Sequence, residues 1–202
     1  MPNEIHDSVN YDRLFNAEIL VVGVGGVLCK DDAFGPTVIK ALELYLNNGS
    51  INKEDVSPEF EDIFTDNLVN SLNDYFAGKD IVIPENVRLI DGGTSSTFHI
   101  FSLPNKCWKK VIVVDVVEFN AEPGTIKMFD ISEIPEVKYQ DAHVGPTNTL
   151  HSIAERENIE VKVISCKPKE YSNCMIEVGL TEPVEKAIPN AIDYILKEIG
   201  VL

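Results

Sequence analysis

Five short apolar runs, separated by stretches with helical spacing, constrain this chain more than any other feature. They are Glu18 to Gly23 (EILVVG), Val87 to Asp91 (VRLID), Val111 to Val117 (VIVVDVV), Gly124 to Phe129 (GTIKMF) and Val161 to Ser165 (VKVIS). β-Branched runs of this length, alternating with helix-like segments, predict an α/β protein with a mainly parallel sheet. VIVVDVV is apolar almost throughout, as expected of a central strand covered on both faces. VRLID ends at Gly92-Gly93, a turn signal.

The helices follow from periodicity. Val38, Leu42, Tyr45 and Leu46 share one face after Gly35-Pro36, where proline suits a first helical turn. Val184, Ala187, Ile188, Ala191, Ile195, Leu196 and Ile199 keep helical spacing, with Thr181 as N-cap. Pro189 lies inside that run and is expected to kink it or mark its true start. Thr94 to Ser102 and Gly145 to Glu157 give weaker helical patterns. Residues 47–86 interrupt the rhythm with a polar stretch rich in Asn, Asp and Glu. They read as an insertion carrying one amphipathic helix on Phe60, Phe64, Leu68 and Leu72. The 202 residues otherwise read as one domain, 1–202.

Charge excludes two classes of partner. With 33 acidic against 17 basic side chains the net charge is −16, and nucleic-acid affinity rests on Lys and Arg neutralising phosphates. The same acidity gains little at an anionic membrane, and no apolar run approaches the roughly 18 residues of a membrane span. The polar start MPNEIHDSVNYDRLF has no basic segment followed by an apolar one, so no signal peptide is expected. The four cysteines show no CxxC spacing. Free thiols without an export signal point to the cytoplasm. Nothing in the pattern demands a dimer, so a monomer is expected.

Three places offer chemistry. The first is Gly23-Val24-Gly25-Gly26-Val27-Leu28-Cys29-Lys30-Asp31-Asp32-Ala33-Phe34-Gly35, after the first strand. A dinucleotide fingerprint needs a third glycine where Leu28 stands, and Asp31 and Asp32 would repel a pyrophosphate. Carboxylates there can cap a helix, yet two in a row at the carboxyl edge of a strand also suit a ligand site. The second is Asp115, an acid inside an apolar strand that must find a partner, a cation or solvent. The third is His143, in the polar loop Gln140 to Gly145, with His99 and His151 as competitors and His6 set aside in the tail. Two carboxylates and an imidazole make a mixed O/N set with open positions, suited to a borderline divalent transition ion.

These segments, in this order, resemble the [NiFe]-hydrogenase maturation endopeptidases. VVGVGGVLCKDDAFGPTVIKAL resembles the family's GxGN opening with its Asp-Asp/Glu pair and following glycine. LIDGGT, VIVVDVV, EPGTIKMF, DAHVG and VGLTEPVEKAIPNAIDYIL resemble its DGGT turn, central strand, next strand, histidine loop and C-terminal helix. The likeness spans Ala17 to Leu196 apart from the insertion. Gly26 replaces the usual asparagine, and the insertion is longer than in many members. The acidic composition and the DAHVGPTN region are most similar to the archaeal proteins serving the coenzyme F-420-reducing hydrogenase.

The resemblance implies a three-layer α/β/α sandwich of the phosphorylase/hydrolase-like type. It implies an aspartyl-type peptidase that removes the C-terminal extension of a hydrogenase large-subunit precursor after nickel insertion. The family's metal positions carry over to Asp32, Asp115 and His143, with Asp32 and Asp115 also catalytic. Nickel is then supplied by the substrate, and other divalent metals can occupy the site. Alternatives are a non-proteolytic nickel-dependent assembly factor, a phosphate-binding small-molecule enzyme, and a purely structural partner protein. Cleavage, nucleotide stabilisation and dispensable acids respectively distinguish them.

Overall fold

The computed structural model describes residues 16–101, 107–135, 147–170 and 176–202. Five strands form one sheet in the order β2-β1-β3-β5-β4: β1 (Ile19–Val24), β2 (Val87–Gly93), β3 (Lys110–Val116), β4 (Ile126–Asp130) and β5 (Glu160–Cys166). All pairings are parallel except β4 with β5, which is antiparallel at the sheet edge. Each apolar run of the sequence is a strand, and the mainly parallel sheet is as expected. The run from Gly124 becomes a strand only at Ile126. Gly124 itself sits at φ 84° in the preceding turn.

Helices cover both faces, giving three α/β/α layers. On one side lie α1 (Phe34–Asn48), α2 (Asp66–Phe76) and α4 (Glu182–Glu198), packed on Val21, Ile112, Val114, Ile164 and Cys166. On the other side lie α3 (Thr147–Glu157) and a single π turn (Thr97–Phe101). Leu150, Ile153, Ile100 and Phe101 there meet Leu20, Val22, Val111, Val113 and Val163. Alternate residues along β3 thus enter opposite cores, as the two-residue period of a strand requires. Among the described residues no helix is long and apolar enough to cross a membrane.

Local chemistry sets the helix ends, and not always as the sequence predicted. α1 stops at Gly49, whose left-handed φ of 72° lets its N–H donate to the Tyr45 carbonyl. Within 47–86, Phe60 and Phe64 are not on the helix that carries Leu68 and Leu72. The Thr65 hydroxyl accepts from the Leu68 N–H at 3.1 Å and starts α2 after them. Phe60, Phe64, Leu68, Leu72 and Phe76 are nevertheless all buried in the core shared with α1 and α4. α4 runs unbroken from Glu182 through Pro189. Pro183 in its first turn needs no amide partner, and Pro189 forfeits one bond in a helix otherwise held by its buried face.

Closure of α1 onto the sheet depends on two glycines. A Cβ at Gly35 would stand 2.2 Å from the Val114 carbonyl oxygen and 2.4 Å from that of Val24. A Cβ at Gly23 would stand 2.5 Å from the Gly35 carbonyl oxygen. The close approach a dinucleotide fold obtains from its third glycine is supplied here by Gly35, seven residues beyond Leu28. Because the obstructing atoms are backbone, they cannot swing away. Gly35→Ala is expected to destabilise the fold by about 3 kcal/mol, measured by the denaturant midpoint. Ala at the open turn Gly78 should leave the core packing intact.

Candidate active site

Strands β1, β2, β3 and β5 end at one edge of the sheet, and the loop after β1 turns over that edge. The loop is a chain of backbone contacts. Gly25 N–H donates to the Gly93 carbonyl at 3.2 Å, and Cys29 N–H to the Gly26 carbonyl at 3.0 Å. Lys30, at φ 54°, donates its N–H to the Glu177 carbonyl at 2.7 Å, while Glu177 returns its own N–H to Leu28. A non-glycine residue in this region is held only where surrounding bonds over-determine it. The amides of Gly25 and Gly26 are both engaged internally, with the Gly93 carbonyl and the Asp32 carboxylate.

Asp31 is fully buried and takes four hydrogen bonds. Its Oδ2 accepts from Lys169 N–H at 2.8 Å, Glu170 N–H at 2.9 Å and the Thr181 hydroxyl at 2.9 Å. Its Oδ1 accepts from Thr181 N–H at 2.7 Å. It fastens the segments after β5 and before α4 to the loop that follows β1. Thr181 is the N-cap residue of α4, as predicted, but its side chain makes no capping bond; its hydroxyl donates to Asp31 instead. Nothing in the local sequence reveals partners 138 to 150 residues away.

Asp32 and Asp115 are placed differently. Asp32 Oδ2 accepts one bond, from Gly26 N–H at 2.6 Å, and Asp115 Oδ1 accepts one, from Val116 N–H at 2.7 Å. Burial raises the Asp32 carboxyl above its ordinary pKa, the Gly26 bond opposing it. Asp115 is raised well above its ordinary value, by burial first and by the charge of Asp32 second. The fold thus brings these two predicted residues into electrostatic contact, each held through one oxygen by a backbone amide. A Cβ at Gly26 would stand 3.1 Å from Thr94 Cγ2, 3.2 Å from Asp32 Oδ2 and 3.3 Å from Cys29 Sγ. Thr94 and Cys29 therefore close around the place where a side chain at position 26 would begin.

The other candidates divide as follows. His143 lies outside the described residues. His99 is exposed in the π turn, and the His151 ring lies 2.8 Å from the Ile134 carbonyl. Asp91 accepts from Gly93 N–H at 2.9 Å and shapes its own turn. Cys166 is buried, and burial together with the Asp31 charge pushes its thiol up to about 12, so it is no nucleophile at neutral pH. Among the described residues no three His, Cys, Asp or Glu side chains stand together as a metal-binding group.

Fold and site define a three-layer α/β/α protein with paired carboxylates at the carboxyl edge of its sheet. A family model for hydrogenase maturation proteases matches residues 67–198. Coenzyme F-420 hydrogenase subunit delta of Methanothermobacter thermautotrophicus is 49% identical over 188 residues, 93% of this chain and 98% of the relative. A protein of Methanocaldococcus jannaschii assigned as a hydrogenase maturation protease is 35% identical, covering 90% of this chain and 96% of the relative. In fold, the hydrogenase maturating endopeptidase HybD of E. coli superposes with a TM-score of 0.61 at 21% identity, covering 91% of this chain and 92% of that one. The chain belongs to the hydrogenase maturation protease family, and it is a peptidase.

Two stability effects of opposite sign follow. Asp31→Ala removes the acceptor of four donors and is expected to cost about 3 kcal/mol or more. Asp115 acts the other way. Its native pKa lies above the unfolded value of about 3.9, so between those two values the native state holds more protons. Stability therefore falls as pH rises through that window. Asp115→Asn keeps an acceptor for the Val116 N–H and should unfold at a higher denaturant concentration than wild type at pH 7. That advantage should shrink as the pH is lowered toward 4. A midpoint below wild type at pH 7 would contradict the assignment of strain to the charged form.

Proposed function

We propose that this chain is an endopeptidase that removes the C-terminal extension of a [NiFe]-hydrogenase large-subunit precursor once nickel has been inserted. The client is a coenzyme F-420-reducing hydrogenase, a choice supported by the 49% identity to a protein named as a subunit of that enzyme. The observation that carries the site reading is the Asp32–Asp115 pair. These are two neighbouring carboxylates with one backbone bond each, raised by burial and, at Asp115, by mutual repulsion. A cation would relieve that repulsion.

Nickel is the cargo of the substrate in this reading. His143 is the third ligand. It lies four residues before Thr147, the first residue of α3. α3 ends at Glu157, just before β5 begins at Glu160, so it runs back along the sheet and starts at the edge that carries Asp115. Two carboxylates and one imidazole leave positions open for groups of the precursor. Substrate-borne nickel then gates the reaction, because it adds affinity only when present. It positions the scissile peptide and polarises its carbonyl or a bound water. Asp31, which accepts four hydrogen bonds from described residues, holds the loop in place in this reading. A monomer in the cytoplasm is sufficient for this chemistry.

The second reading is an assembly factor that binds the nickel-loaded precursor without cutting it. The name of the 49% identical relative, a hydrogenase subunit, favours lasting association. Intact-mass spectrometry separates the two. Nickel-loaded precursor incubated with this chain is expected to lose a C-terminal peptide, and nickel-free precursor is not. Asp32→Ala should reduce cleavage at least 100-fold, while costing the fold no more than about 1 kcal/mol. A stable complex with no mass change would establish the assembly factor instead.

A further inference from the structure

The carboxylate pair has a neighbour that neither the sequence motifs nor the family comparisons assign. Ser165, on β5, is the register partner of Asp115 on β3, and in a parallel pair both side chains leave the same face of the sheet. It is fully buried, and its hydroxyl has no hydrogen-bond partner among the described residues. Buried polar groups without partners are rare in native proteins and call for a specific reason.

Packing does not supply one. Val161 and Val163 precede Ser165 on the same face of β5, and both are buried in the apolar core beneath α3. A third apolar side chain would continue that pattern at no polar cost. Nor does the opposite neighbour provide an acceptor. Lys127 of β4 pairs with Ser165, but its ammonium can only donate and lies 4.1 Å from the centre of the Phe129 ring. In the row across the sheet, Asp115 is the acceptor beside Ser165. Among the described residues, the bond to Asp115 runs from Val116 N–H to Oδ1 at 2.7 Å, so Oδ2 is the oxygen available to Ser165. Strands in a sheet lie about 4.8 Å apart. Rotation between staggered χ1 wells is sufficient to turn a hydroxyl toward or away from the adjacent strand.

We infer that Ser165 is a positioning residue for the carboxylate pair, its hydroxyl donating to Asp115 when that carboxylate engages its ligand. The inference rests on the pair being the working site. One Asp115 oxygen is oriented by the Val116 amide, and the Ser165 hydroxyl orients the other side of the group. Outer hydrogen bonds of this kind fix a ligating carboxylate, and their loss typically weakens metal affinity by about 10–100-fold.

Ser165→Ala removes the hydroxyl and little else. Nickel-loaded precursor cleavage and titration with Ni²⁺ alone are compared for wild type, Ser165→Ala, Ser165→Thr and Asp115→Asn, with denaturant midpoints alongside. The expected result is a roughly tenfold fall in cleavage rate and Ni²⁺ affinity for Ser165→Ala. Its denaturant midpoint should equal or exceed wild type, and Ser165→Thr should recover function. A purely structural serine predicts the reverse, lower stability and unchanged nickel affinity. Ser165→Ala matching wild type in both cleavage and Ni²⁺ affinity would overturn this inference alone. A wild-type chain that neither cleaves nor binds Ni²⁺ would overturn the reading of the site, and this inference with it.

Discussion

The buried carboxylate of Asp31 is the contact on which the working edge of the sheet depends. Four donors from two segments far along the chain converge on it, and no other described side chain ties so many parts of the site region together. Charge-assisted bonds to backbone amides are among the strongest a protein makes, and they also fix geometry. Held this way, Asp31 sets the short turn Asp31–Ala33, hence the start of α1 and the orientation of Asp32. It also holds the entry to α4, whose apolar face closes the core over β3 and β5.

Three carboxylates therefore share one edge and carry unequal numbers of hydrogen bonds. Among the described residues Asp31 has four, whereas Asp32 and Asp115 have one backbone bond each. A fully supplied carboxylate stabilises the fold and offers nothing to a ligand. Under-supplied carboxylates near one another cost stability, as the raised pKa values of Asp32 and Asp115 express. They gain from any cation that arrives. Marginal stability kept at a site in exchange for binding is a common arrangement in enzymes. The core of α1, α2 and α4 and the two-glycine closure of α1 onto the sheet support that cost elsewhere.

Much of this was legible before any coordinates. The five strands lie where β-branched runs occur, because such runs suit a sheet covered on both faces. The ends of α1 and the face of α4 follow from glycine, proline and helical spacing. Asp32 and Asp115 stood out as acids at strand ends, and the sheet brings both to its carboxyl edge. The start of α2 was not legible, and the single helix expected from Phe60 to Leu72 does not form. Phe60 and Phe64 have helical spacing, but the Thr65 cap starts the helix after them, and tertiary burial accounts for their apolar character. Thr181 does stand at the N-cap of α4, but its hydroxyl bonds Asp31 and makes no capping bond to the helix.

The division has a physical basis. Local sequence determined the strands, most helices, the acidic surface and two residues of the candidate site, since these depend on periodicity, turn chemistry and the cost of an acid in an apolar run. Three matters were decided by tertiary structure alone. Asp31 finds donors 138 to 150 residues away, Ser165 comes into register with Asp115 across two strands, and Gly35 takes the close-approach role in place of position 28. Each arises from which strand lies beside which and from how near one backbone passes another. No pattern confined to neighbouring residues encodes such a pairing.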